Sequence, residues 1–269
     1  MSVDEILVFF AAIYFSFVFL LDWYAVLVHA EVRTAAGRTV KKIFLFVPML
    51  ALVMVSFVLY RWASFDVIGD SLYLLFYMVI WFFWMKFSLQ FMFMFFNISW
   101  VDDAVNLQNS AAAAAVLGGV FGACAVYCGA NIGDGPGWWC VFFAGFLGMF
   151  SWYLLARALN ALTGVFEKIT VERDFSCGVR FGAYLLASGI ILGRASGGDW
   201  TSAYMTIIEF GAGWPVLILT AATAGAELLF FSKTAASDAE KNIVPSCLAG
   251  LIYLASAAAA VSLLPSITY

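Results

Sequence analysis

The chain has 269 residues, 65% of them hydrophobic and 11% charged, with a mean hydropathy of +0.99. Soluble domains run at about 45–50% apolar and about 25% charged, so a surface this apolar requires lipid as its solvent. The formal charge of -4, from 13 basic and 17 acidic residues, excludes a basic footprint for nucleic acid, and no polar tract exceeds about 20 residues, too short for a soluble catalytic domain.

Apolar stretches of about 20 residues predict an all-α, polytopic membrane bundle of eight helices. They run from Ile6 to Val28, Ile43 to Tyr60, Ser71 to Phe96, Ser110 to Ala130, Trp138 to Leu159, Phe175 to Leu192, Ala203 to Phe231 and Ile243 to Leu264. The acidic start, Met1 to Glu5, lacks the basic region of a cleaved signal peptide, so the first span is expected to be retained. Arg33, Arg38, Lys41 and Lys42 fall in or beside the first connection, Arg157, Lys168 and Arg173 the fifth, and Lys233 and Lys241 the seventh. Only Arg61 and Arg194 oppose these nine. The bias places those connections in the cytoplasm and both termini outside. The third connection, Asn97 to Asn109, carries Asp102 and Asp103 and no base, but an even helix count puts it inside as well.

Composition divides the chain near residue 100. Residues 1–100 supply three spans rich in aromatics and Met, suited to a lipid-facing wall, and residues 101–269 supply five rich in Ala, Gly and Ser. Small residues let helix backbones approach closely, and GxxxG-type spacings occur at Gly118 and Gly122, Gly178 and Gly182, and Gly189 and Gly193. The fourth to eighth helices are therefore expected to form the tightly packed part.

The second region also repeats itself. Glu172-Arg173-Asp174, followed by Gly182 and Ser188, lines up with Glu240-Lys241-Asn242, followed by Gly250 and Ser256, at an offset of 242 minus 174, or 68. A weaker copy, Gln108-Asn109-Ser110 with Gly118, precedes Asp174 by 174 minus 109, or 65. Asn109, Asp174 and Asn242 stand where helices leave the cytoplasmic surface and are expected to cap free backbone N–H groups; a ring of helix N-termini attracting an anion is the alternative. Over roughly Val101 to Leu264 this pattern resembles the bacterial inner-membrane YjfL-type family, the domain of unknown function numbered 350. Asn109 with Gly118, Asp174 with Gly182 and Asn242 with Gly250 carry the resemblance. Asp174 replaces the family's usual Asn, and Pro245 interrupts the third small-residue run. The resemblance implies a bacterial inner-membrane protein built of repeated hairpins, in an envelope or stress context, and no catalytic residue.

Charges within membrane helices are costly and are functional candidates. Here they are Asp22, Lys86, Arg180, Glu209 and Glu227. Arg180 and Glu227 lie at similar depth in adjacent antiparallel helices and are expected to pair, and Asp22 can reach Lys86 if the first and third helices touch. Either pair serves equally to fix helix register. Glu209 precedes Gly211, Gly213 and Pro215 in a run that bends or breaks a helix. Such breaks beside a carboxylate accompany transporter sites, although a residue at outer headgroup level explains Glu209 as well.

Metal and cofactor sites are not expected. The one histidine, His29, stands alone, and Cys124, Cys128, Cys140, Cys177 and Cys247 contain no CxxC. Cys128 and Cys140 flank the fourth connection, where a disulfide is the alternative to simple packing. Gly133-Asp134-Gly135-Pro136-Gly137 lacks the Lys and Ser/Thr of a phosphate loop and reads as a turn. Asn97-Ile98-Ser99 fits a glycosylation sequon but falls on the cytoplasmic side. These readings lead to a non-enzyme with lipid around it, acting as a structural or accessory subunit with other membrane proteins or as a homo-oligomer. The alternative is a small-ion or solute channel or transporter, and a lipid-modifying enzyme is a minor third.

Overall fold

Capping chemistry, more than hydropathy, sets where the spans begin. In the computed structural model, which describes residues 1–231 and 243–264, α1 (Val3–His29) opens on a capping box. The Ser2 hydroxyl accepts from the Glu5 N–H, and the Glu5 carboxylate accepts from the Ser2 N–H. α2 (Ala35–Trp62) begins after Thr34, whose hydroxyl accepts from the Gly37 N–H at 2.9 Å. The expected start at Ile43 was too late, and Arg38, Lys41 and Lys42 belong to the first turns of the helix rather than to a loop.

The chain continues through α3 (Phe65–Gly69), α4 (Ser71–Phe96), a π-helical turn (Trp100–Asn106), α5 (Ser110–Ala130), α6 (Trp138–Thr163), α7 (Val165–Thr170) and α8 (Phe175–Ser196). It ends in α9 (Ala203–Phe210), a 3-10 turn (Gly211–Gly213), α10 (Pro215–Ala226), a second π-helical turn (Glu227–Phe231) and α11 (Val244–Leu263). Among the described residues, eight helical segments are long and apolar enough to cross a membrane. The α9–α10 stretch, through Phe231, counts as one of them. The fold is the all-α bundle that the composition requires. Lys233, Lys241 and Asn242 lie outside the described residues.

α5 and α8 are the centre of the bundle. A Cβ placed on Gly118 would fall on the Gly182 backbone, one on Gly178 would meet Ala111, one on Gly189 would meet Gly122, and one on Gly193 would meet Ala125. These contacts advance together along both helices, so the two run parallel, and the three GxxxG spacings all lie in this seam. α11 runs parallel to α8 as well, with Ser246 beside Arg180 and Gly250 beside Ala183. The residue separations across these contacts, 178 minus 111, 246 minus 180 and 250 minus 183, are 67, 66 and 67. Equivalent residues of successive repeats therefore sit side by side.

Packing departs from expectation in two places. Many of the α4 aromatics are core rather than lipid wall: Phe76, Trp81, Trp84 and Phe96 are buried while Phe93 stays exposed, because the buried ones fill the space left by small residues opposite, as Trp84 does over Gly145. Conversely α11 is largely exposed on the outside of the bundle, since among the described residues α8 and α10 are the helices packed most closely against it. At one end Gln108, in the left-handed region at φ 53°, joins the first and third connections. Its Oε1 accepts from the Thr34 N–H at 3.0 Å and its Nε2 donates to the Glu31 carbonyl at 2.8 Å.

Candidate functional site

Arg180, Tyr184 and Ser188 recur every four residues along α8, so they share one face and form a polar row inside the bundle. Arg180 Nε donates to Glu227 Oε1 at 2.5 Å and Nη2 to Oε2 at 2.9 Å, while Nη1 donates to Ser246 Oγ at 2.8 Å. The two charged side chains are 3% and 2% exposed. The π-helical turn that supplies Glu227 also supplies Phe231, whose ring centroid lies 3.9 Å from the guanidinium carbon. One cation is thus held by two carboxylate oxygens, a hydroxyl and an aromatic face, from α8, the end of the α10 span and α11. Bidentate pairing is among the stronger charge-assisted geometries, and it leaves no net charge in the apolar interior.

The row continues with Tyr184 and Thr220, whose hydroxyls lie 2.9 Å apart, and with Ser188, which accepts from Trp152 Nε1 at 3.0 Å. Thr223 of α10 and Tyr253 of α11 add two further buried hydroxyl-bearing side chains. Hydropathy alone did not single out Ser246, Thr220 or Phe231. The four-residue polar spacing on α8 was the signal that leads to them.

The other candidate charges do not join this cluster. Asp22 and Lys86 stand 4.0 Å apart where α1 meets α4, with side chains 66% and 37% exposed. Glu209 is exposed at the opposite end of the bundle and borders a cavity of about 260 Å³ lined also by Glu5, Asp66, Tyr73, Asn131 and Cys140. There Tyr73 OH donates to Glu5 Oε2 at 2.9 Å, and Ser64 hydrogen-bonds Asp66. After Glu209 the helix does not unwind. It tightens into one 3-10 turn, with the Trp214 N–H donating to the Gly211 carbonyl at 3.1 Å. It then resumes at Pro215, whose missing N–H is harmless at a first helical position.

Capping accounts for Asn109 and Asp174, the two repeat residues among those described. Asn109 Oδ1 accepts from the Ala111 and Ala112 N–H groups, its Nδ2 donates to the Ile169 carbonyl at 2.8 Å, and Asp174 accepts from the Cys177 N–H. Donors occupied in this way are not available to an anion. All five cysteines are free thiols, so Cys128 and Cys140 are not bridged. His29 is exposed, with Nδ1 2.8 Å from the Ala25 carbonyl. Among the described residues no His, Cys, Asp and Glu cluster is arranged to hold a metal ion. Outside the spans, Arg33 holds the Glu31 carboxyl below its ordinary pKa through a 2.8 Å hydrogen bond.

Comparison with protein-family models, with curated proteins and with solved structures finds no match to this chain.

Proposed function

We propose that this integral membrane protein has no catalytic activity and works as a structural or accessory subunit of a complex in the bacterial inner membrane, with both termini periplasmic. The observation that carries this reading is the Arg180–Glu227–Ser246 clasp. Its charges neutralise each other and tie three helices together, where a conduction path needs a continuous polar lining. The spacing of Asn109 with Gly118 and Asp174 with Gly182 adds the YjfL-type resemblance, and with it an envelope or stress setting. Purification in mild detergent is expected to bring down a second protein in fixed stoichiometry. A preparation that is free of other subunits and conducts ions would overturn the reading.

The second reading is a small-ion or solute pathway that starts at the cavity lined by Glu5, Asp66, Asp134 and Glu209, since four carboxylates around one opening attract cations. Under it, Glu209→Gln lowers cation flux in proteoliposomes while the protein stays folded. Wild-type protein without flux, or flux unchanged in the variant, removes this reading.

A further inference from the structure

The cavity at the Glu209 end is walled by separate elements that supply acid and no base. Glu5 of α1, Asp66 of α3, Asp134 of the α5–α6 connection and Glu209 of α9 line it, and among the described residues no Lys, Arg or His does. Its walls are held in place by the chain's own hydrogen bonds. The Asp134 N–H donates to Asp199 Oδ1 at 2.8 Å, the Trp200 N–H to the Asp134 carbonyl at 2.7 Å, and the Gly198 N–H to the Ile132 carbonyl at 2.9 Å. The connections after α5 and α8 are thereby tied to each other, and the Trp200 ring rests on Trp139 and Phe143 at centroid distances of 4.8 and 5.4 Å.

An acidic mouth open to water needs no occupant, since solvent satisfies exposed carboxylates such as Asp66, Asp134 and Glu209. The floor of the cavity is different. Tyr77 and Asn131 line it, yet they are only 7% and 5% exposed. Asn131 Nδ2 donates to the Tyr127 carbonyl at 2.7 Å, which leaves Oδ1 to the cavity. The Tyr77 hydroxyl, within electrostatic reach of Glu5 and Asp66, meets no hydrogen-bonding group among the described residues. Buried polar atoms are ordinarily partnered. Two such oxygens beneath a set of carboxylates therefore specify a guest that donates hydrogen bonds at the floor and carries positive charge at the mouth.

We propose that this guest is a linear aliphatic polyamine. A bare metal ion requires several oxygens to converge on one point, and among the described residues no acidic side chains are grouped in that way. Carboxylates spread around a cavity of about 260 Å³ suit ammonium groups spaced along a flexible carbon chain, each making its own charge-assisted hydrogen bond. Tyr73 and Trp200 supply aromatic surface, and Val141 and Ala144 aliphatic surface, for the methylenes and for cation–π contact. One ammonium is seated on Asn131 Oδ1 and the Tyr77 hydroxyl oxygen, and the others pair with carboxylates nearer the mouth.

Calorimetric titration of the detergent-purified protein with spermidine tests the assignment. Saturable binding is expected, about tenfold tighter than that of n-butylamine, which has one ammonium, or of Mg²⁺, since each further ammonium adds a charge-assisted hydrogen bond. Tyr77→Phe and Glu209→Gln are each expected to weaken spermidine binding by about threefold or more at an unchanged melting temperature. Glu172→Gln, an exposed carboxylate at the other end of the bundle, should leave it unaltered. If Tyr77→Phe does not fold, Asp134→Asn on an exposed side chain takes its place in the comparison. No saturable heat with spermidine, equal affinity for n-butylamine or Mg²⁺, or the same loss in Glu172→Gln as in Glu209→Gln would overturn the proposal. The site shares its cavity with the pathway reading and stands without it. Spermidine binding with no cation flux removes the pathway and keeps the site, and flux without spermidine binding does the reverse.

Discussion

α5 and α11 belong to the same sequence pattern, Asn109 with Gly118 and Asn242 with Gly250, and both helices run parallel to α8, on different sides of it. Yet 78% of the apolar span of α5 is buried against 22% of that of α11. The small-residue motif determines which face meets α8, because only there can two backbones approach without a Cβ between them. What covers the remaining faces is decided by neighbours. α2, α4 and α6 surround α5 besides α8, while among the described residues α11 packs chiefly on α8 and α10. A repeated sequence thus gives one helix that is core and another whose outer surface awaits lipid or protein.

The ion pair on the α11 side offers the strongest way to break this comparison. Glu227→Ala would leave Arg180 buried without its counter-charge and is expected to cost about 3–5 kcal/mol, measured as unfolding in mixed detergent. The double change Arg180→Met with Glu227→Leu should recover most of that loss, since apolar residues of similar volume replace a buried pair well. A single-variant cost no greater than at a surface pair would mean that the clasp does not hold α8, α10 and α11 together.

The glycine seams come next. Gly182→Val would drive its Cβ into the Ala114 carbonyl, a backbone atom that cannot rotate aside, and should destabilise by about 1–3 kcal/mol. Gly250→Ala meets only the Ala183 methyl, at 3.0 Å, and should stay at or below about 1 kcal/mol. Equal effects on melting temperature in the two variants would erase the distinction between the α5 and α11 sides of α8. Asp22→Asn removes an exposed pair with 4.0 Å between its charged atoms and should change stability by about 0–1 kcal/mol. Glu209→Gln touches a side chain outside the packed interior, and thermal unfolding is expected to be unchanged.

Much of this architecture is legible in the residues. Ser71 to Phe96 and Ser110 to Ala130 are read from hydropathy to the residue, because Asp70 and Asn109 are strong caps that coincide with the start of an apolar run. The start of α2 was missed because Thr34 caps a helix whose first turns are basic, so helix and apolar stretch do not coincide there. Depth counting found Arg180 and Glu227 because both lie in spans of opposite direction, and the single π-helical turn that carries Glu227 continues its span without displacing it in depth. Ser246 and Phe231 escaped it, since a serine or a phenylalanine in a membrane helix carries no signal until a neighbour gives it a role.

The sequence by itself determined the solvent, the number of spans, the repeat and the small-residue faces, because each is a local pattern of hydropathy or size that one helix expresses alone. Only the tertiary structure decided that Phe76, Trp81, Trp84 and Phe96 of α4 lie inside, that α11 lies at the edge, and that Ser246 and Phe231 join Glu227 around Arg180. Burial is a relation among helices, set by which neighbour occupies each groove. In lipid an apolar side chain is equally at home facing a tail or a partner helix, so hydrophobicity alone cannot choose between them.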